Sequence, residues 1–282
     1  MVTFYLYRLK IEWVDQESRD KNEREPGEII LSAIKEKPSQ ETGRGQIWRI
    51  GNIKEVARKK VFFALGKVTK TTGEFYDESR KDFIAKYLEE APHTHVAIDL
   101  NLQVCAIAQK TKIAPNIRAI ARNLSILLNA SREVKTNKLT FNLVPIYDPE
   151  EFLNSIKNAV RITEFEMTLS QPNPFDEKRQ IRDLWEKLAR DVNGNRGKIS
   201  VFPRRGKTLK GEGIAKYVQS GISVGDKVKA RIQSKPNEKP VLKKMKESQI
   251  VITTEEPRNK EQILHIFKEI EEAYYRVRGR DN

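Results

Sequence analysis

Lys227, Lys229 and Arg231 alternate with Val228, Ala230 and Ile232. On a strand, that spacing sends the three cations to one face and the three apolar side chains to the other. Like charges in a row repel, so such a face favours an anion laid across it. Downstream, Lys239, Lys243, Lys244 and Lys246 add to the charge. Upstream, the corner Phe202-Pro203-Arg204-Arg205-Gly206-Lys207 contributes Arg204, Arg205 and Lys207, with Lys210 close behind. A strand that turns into a helix offers free backbone N–H groups and a favourable dipole to a phosphate. From Arg196 to Lys246, fifteen Lys and Arg stand against Glu212, Asp226 and Glu238, a net +12 of the +14 carried by the whole chain. Charge segregated in this way draws a polyanion, and its chemistry is phosphate neutralisation with release of counterions.

Other chemistries find less in the residues. Gly206-Lys207-Thr208 matches the end of a phosphate-binding P-loop, but the glycine the pattern needs five residues earlier is Val201. His93 and His95 form a His-x-His pair, and the one further histidine, His265, lies far along the chain. Two ligands without a third and fourth do not make a metal site. Asp99 ends an apolar stretch and Lys110 follows a second one, as in restriction-type nucleases. The acidic residue expected two positions before that lysine is Ala108. Glu74, Asp77, Glu78 and Asp82 form another acidic group, mixed with Arg80 and Lys81 and read as a solvated helix or loop. No catalytic residue, metal ligand or cofactor is therefore expected, with a metal-dependent nuclease kept as an alternative.

Within the basic stretch the aromatics are only Phe202 and Tyr217. Single-strand binders rely on stacking platforms, so duplex DNA held through its phosphates is the expected partner. No Cys/His finger, leucine-zipper heptad or RNP motif argues for sequence-specific reading, and an RNA-binding module is the other alternative. An anionic membrane is a weaker partner, because no basic amphipathic helix accompanies the charge.

The 282 residues suffice for one large domain or two modest ones. A single cysteine, Cys105, in the apolar run Val104–Ala108, reads as a buried thiol in a reducing compartment. The start Met1-Val2-Thr3-Phe4-Tyr5 lacks the form of a signal peptide, and no window holds 18 consecutive apolar residues. A soluble cytoplasmic protein without membrane insertion is expected.

These residues must be positioned by an α+β fold. Apolar residues at Tyr5, Tyr7, Leu9, Ile11 and Trp13 predict a half-buried strand, with Arg8, Lys10 and Glu12 on its other face. A short helix over 27–35, a turn-rich stretch over 38–45 and strands at 46–50, 60–65, 95–100 and 103–108 follow, the last two as a hairpin. Asn116 to Leu128 has the stripe Ile117, Ile120, Ala121, Leu124, Leu127 and Leu128 of an amphipathic helix. After a charged break over 131–138 come a strand over 139–146, a helix opened by Asp148-Pro149-Glu150-Glu151, a strand over 161–169 and a helix over 176–192. Strands at 198–202, 227–233, 241–245 and 249–253 precede a closing helix over 259–277. The expected organisation is an N-terminal α+β domain over 1–132 and a strongly basic α+β domain over 138–282, closed by a long C-terminal helix.

The order of elements resembles that of the RexA-type phage-exclusion proteins of lambdoid prophages and related antiphage DNA-binding proteins. The shared features are the aromatic-rich first strand (Phe4 to Trp13) and the mid-chain segment Val144-Pro145-Ile146-Tyr147-Asp148. The strand, corner and helix over 199–219, the basic strand Lys227 to Ile232 and the long last helix complete them. The resemblance implies a two-domain homodimer that binds double-stranded DNA with little sequence preference and signals to an effector protein. It assigns no catalytic residue. On this reading Arg204, Arg205, Lys207 and Lys210 hold one side of a duplex. Lys227, Lys229, Arg231, Lys243, Lys244 and Lys246 hold the other.

Overall fold

The alternating apolar residues near the N-terminus form strand β1 (Val2–Trp13), but both of its faces are buried from Leu6 to Ile11. A half-buried strand was expected, yet Arg8 and Lys10 are only 3% and 4% exposed. Arg8 is accommodated by an aromatic partner: its Nη1 donates to the Tyr274 hydroxyl at 3.0 Å, and its guanidinium lies 5.8 Å from that ring's centroid. A buried cation costs little when a hydrogen bond and a π face replace its water. The computed structural model describes residues 1–14, 18, 22–42, 46–170, 188, 191–192, 194, 196–222, 227–245 and 249–278.

Helix α1 (Pro26–Lys35) buries Ile29, Ile30, Ala33 and Ile34. The stretch read as turns begins instead with strand β2 (Ser39–Thr42), which pairs with β3 (Gln46–Ala57) and so hides its polarity in a ladder. Strand β4 (Lys60–Asp77) is far longer than its apolar start, because its polar second half pairs with β5 (Asp82–Glu90). Where a solvated helix or loop was expected for Glu74, Asp77, Glu78 and Asp82, Glu74, Asp77 and Asp82 belong to strands, and Glu78 lies in the exposed turn that joins them. Strands β6 (His93–Asp99) and β7 (Val104–Ala108) form the expected hairpin.

Helix α2 (Ile117–Ala130) buries the six apolar residues of its predicted stripe, and the Asn116 side chain caps it by accepting from the Ala119 N–H at 2.9 Å. The charged break is partly the short helix α3 (Arg132–Thr136), capped by Ser131. Strand β8 (Leu139–Pro145), helix α4 (Glu150–Lys157), strands β9 (Arg161–Ser170) and β10 (Arg196–Val201) and helix α5 (Gly211–Ile222) follow. Strands β11 (Lys227–Gln233), β12 (Val241–Lys244) and β13 (Val251–Thr254) precede helix α6 (Lys260–Arg278). Helix α6 buries Ile263, Ile266, Phe267, Ile270, Tyr274 and Val277, as its periodicity predicts. The helix expected over 176–192 lies mostly outside the described residues.

Helices combine with mostly antiparallel sheets, an α+β fold. The larger sheet runs β13-β1-β7-β6-β4-β3-β2, with β5 paired to β4 and β8 to β1; the smaller runs β10-β9-β11-β12. The chain divides into two compact units of non-consecutive segments, 1–4, 11–143 and 253–267 in one and 5–10, 144–252 and 268–282 in the other. Sequence reading had placed a single break between 132 and 138. The smaller sheet with its helices α4 and α5, and with it the whole basic stretch, belongs to the second unit. No described helix is long and apolar enough to cross a membrane.

Candidate nucleic-acid interface

The smaller sheet is built on β9, whose residues Glu164 to Thr168 alternate in character beyond a register shift after Ile162. Phe165 and Met167 are buried, as are Val228, Ala230 and Ile232 of β11. Directly opposed residues of antiparallel strands share a face. The pairs Phe165↔Ala230 and Met167↔Val228 therefore define one apolar side. Helices α4 and α5 pack on each other and on β11, and bury Phe152, Ile156, Ile214 and Val218. They meet closely at Gly211, where a Cβ would stand 3.3 Å from the Ile156 carbonyl oxygen.

The other side of the same strands is charged. Glu166 of β9 lies opposite Lys229 of β11, and Glu164 lies opposite Arg231. Thr168 is flanked by Lys198 of β10 and Lys227 of β11, and Lys244 of β12 lies opposite Lys229. Five cations thus share a face with two carboxylates. The Glu166 carboxylate receives Lys229 at 2.9 Å and is also bridged by Lys198, while Arg231 Nε meets Glu164 at 3.2 Å. Burial pushes the Glu166 carboxyl up, but hydrogen bonds and charge from Lys198 and Lys229 outweigh it and hold the group below its ordinary value. The repulsion expected along Lys227, Lys229 and Arg231 is therefore relieved within the protein, by carboxylates on the neighbouring strand.

Those carboxylates were missed, although the Glu164-Phe165-Glu166-Met167 alternation is the acidic counterpart of the basic strand and shows in the sequence. Lys198 was missed as well. Among the described residues Lys227, Lys243 and Lys244 have no ion-pair partner. Lys243 does not join the charged face: it lies opposite Ala230, so its Cβ is directed to the helix-covered side, and its own position on β12 is exposed. Lys246 lies outside the described residues.

The corner after β10 is not a direct strand-to-helix turn. Nine residues, Phe202 to Lys210, separate β10 from α5. Within them the Lys207 N–H donates to the Arg204 carbonyl at 2.9 Å, and Gly206 has φ +76°. A left-handed third residue is what a type II turn requires, and glycine adopts it without strain. Arg204, Arg205 and Lys207 are all exposed on this turn, and Lys210 directly precedes α5. The Thr208 hydroxyl accepts from the Ile162 N–H at 2.7 Å, and the Leu209 N–H donates to the Ile162 carbonyl at 3.1 Å. These bonds fix the basic turn at the end of the sheet where β9 begins and β11 ends, beside the β11–β12 connection that carries Lys235 and Lys239. Phe202 and Tyr217 are exposed.

The alternative chemical sites have local explanations. Asp99 is 1% exposed; its Oδ1 accepts from the Asn101 and Leu102 N–H groups and its Oδ2 lies 3.2 Å from Lys60 Nζ. It closes the β6–β7 turn. His95 Nε2 lies 3.7 Å from Glu256 Oε1, and burial first, then His93 and Lys110, lower its pKa against the pull of Glu256. Among the described residues no three His, Cys, Asp or Glu side chains gather as metal ligands. Cys105 is buried, and burial pushes its thiol well up. No protein-family model and no curated protein sequence matches the chain.

Proposed function

We propose that the chain binds double-stranded DNA with little sequence preference, through the charged face of the smaller sheet and the basic turn at its end. The observation that carries this reading is the open face itself: Lys198, Lys227, Lys229, Arg231 and Lys244 outnumber Glu164 and Glu166, while the apolar side of the same strands is occupied by helices. Evenly spaced cations on a rigid, twisted surface suit a phosphate backbone and carry no base-edge code. The resemblance in element order extends the proposal to the sensing component of a bacterial antiphage system, signalling to an effector protein.

Two classes of cation make up the site. Arg204, Arg205, Lys207, Lys210, Lys227 and Lys244 have no carboxylate partner among the described residues and meet phosphates first. Lys229 and Arg231 must share theirs with Glu166 and Glu164. Six phosphate contacts give a slope of log K against log salt of about −5.

The test is competition binding of the purified chain to duplex DNA, single-stranded DNA and duplex RNA across a salt series with Mg²⁺ present. Tight, salt-steep binding to intact duplex DNA supports the proposal, and a slope shallower than about −1 overturns it. A preference for RNA moves the reading to an RNA-binding module, and cleaved DNA moves it to a nuclease. The informative double variant is Arg204→Glu with Lys207→Glu. Reversal at Lys229 and Arg231 would also oppose Glu166 and Glu164, so it would weaken the fold together with binding.

A further inference from the structure

Phosphate neutralisation leaves Phe202 without a part, although it stands at the root of the basic turn. Its ring is 64% exposed, and no aromatic ring among the described residues stacks on it. A single exposed apolar residue is ordinary on a protein surface. This one is placed, stiffened and anchored. Lys198 lies opposite Thr168 and Ser200 opposite Glu166 on the charged face, and Phe202 continues their parity just past the last pair, Val201↔Phe165. Pro203 fixes its own φ and holds the residue before it extended, so Phe202 loses little freedom when its ring is buried. Both feet of the loop rest on β9. Val201 is paired with Phe165, the Leu209 N–H donates to the Ile162 carbonyl at 3.1 Å, and the Thr208 hydroxyl accepts from the Ile162 N–H at 2.7 Å. Between those feet Phe202, Arg204, Arg205, Gly206 and Lys207 are exposed, and a Cβ at Gly206 would meet no atom within 4 Å. The turn therefore stands clear of the sheet on a rigid base.

We propose that this loop enters the minor groove of duplex DNA, with Phe202 as a wedge between base pairs and Arg204, Arg205 and Lys207 on the groove walls and flanking phosphates. The inference rests on the DNA-binding reading and deepens it: the chain bends its duplex and selects DNA that deforms easily. An apolar side chain inserted at a base step unstacks it and kinks the duplex toward the major groove. The phenyl ring has no group that reads a base edge, and the minor groove itself carries a degenerate code, so the contact needs no sequence. A narrow minor groove concentrates negative potential, which draws arginine side chains toward it. Unstacking costs least where pairing is already faulty, so a mismatched step should be the preferred point of entry. A platform for single strands fits the loop less well. Stacking successive bases takes successive rings, and between Val201 and Lys210 Phe202 is the only aromatic residue.

The test uses the full chain and short duplexes carrying a donor and an acceptor dye at their ends, either fully matched or with one central mismatch. Binding should raise energy transfer as the ends approach, and the mismatch should tighten Kd by about tenfold. Phe202→Ala should abolish the rise in transfer and the mismatch preference, and weaken binding to the mismatched duplex by about tenfold. Its salt slope should stay near about −5, because no phosphate contact is removed. Phe202→Leu keeps an apolar wedge and should keep the bend, which separates insertion from a loss of folding. Tight binding to a duplex that stays straight, or a bend and preference that survive Phe202→Ala, overturns the wedge and leaves the DNA reading standing. If Phe202→Ala instead weakens single-stranded DNA alone, the ring is a stacking platform and the wedge is likewise overturned. Absence of binding to either duplex refutes the DNA reading itself, and the wedge with it.

Discussion

Replacing Glu166 by Gln removes one negative charge from beneath two ammonium groups and keeps the size of the side chain. The carboxylate now holds Lys229 at 2.9 Å and Lys198 in an equally direct contact, so a phosphate above the sheet must share both cations with it. Two unit charges 4 Å apart in water interact by about 1 kcal/mol, a factor of about five in Kd. A phosphate lies beyond the lysines and feels less than this from Glu166, so the variant should tighten duplex binding by roughly two- to fivefold at low salt. Each cation released to a phosphate steepens the salt slope by about 0.9, so freeing both steepens it by up to about 1.8. Fluorescence anisotropy of a labelled duplex, titrated over a salt series, reads both quantities. The gain should fade as the Debye length shortens to about 8 Å at physiological salt. Lys198 is exposed and Lys229 half-buried, but the Glu166 carboxylate they share is buried, so loss of the pairs should cost on the order of 1–2 kcal/mol, seen as a fall in Tm. A folded variant with unchanged affinity and slope refutes the assignment of this face, and weaker binding refutes the competition argument.

The register makes Lys243 and Lys244 unequal: Lys244→Glu should reduce duplex affinity several-fold more than Lys243→Glu, because only position 244 shares the face of Lys229. Equal losses in the same binding assay would contradict the two-sided arrangement. Asp99→Asn removes the charge that faces Lys60 from a buried site, and should lower unfolding free energy by about 2 kcal/mol in urea denaturation while leaving duplex binding unchanged. His95 has its pKa lowered by burial, so the unfolded chain takes up a proton more readily. Stability from this residue is present above its ordinary pKa of 6.5 and declines as pH falls through 6.5 toward the folded value, a decline that His95→Gln should flatten in melts between about pH 5 and 7.5.

Residues with a strong period were legible from the chain. The α2 and α6 stripes and the β6–β7 hairpin follow directly from apolar spacing, since burying those residues stabilises one local conformation above the rest. Elements that depend on pairing were not. The polar half of β4 has no apolar period, and becomes a strand only because β5 returns along it. Ser39–Thr42 is a strand for the same reason. Arg8 and Lys10 looked like a solvent face, because nothing local announces the Tyr274 hydroxyl that receives Arg8 from 266 residues away. At the candidate interface the basic alternation of β11 was plain. Its acidic counterpart on β9 lay more than sixty residues upstream, and register alone brings Glu164 and Glu166 to Arg231 and Lys229.

Those two carboxylates change the physical meaning of the basic strand. A bare row of cations would destabilise the sheet and demand an anion merely to fold. With Glu164 and Glu166 beneath them, Lys229 and Arg231 are positioned and neutralised at once. The Arg231–Glu164 pair is the more exposed and contributes little stability, so it loses little when a phosphate draws its cation away, whereas Lys229 rests on a buried carboxylate and yields at greater cost. A face organised in this way holds its lysines extended in the free protein and yields them one at a time. On the proposed reading, affinity would come chiefly from the exposed cations of the Arg204–Lys207 turn and from Lys227 and Lys244, while the paired cations would adjust to wherever the backbone runs. A site built to adjust in this way suits a ligand recognised by its charge spacing and indifferent in its sequence.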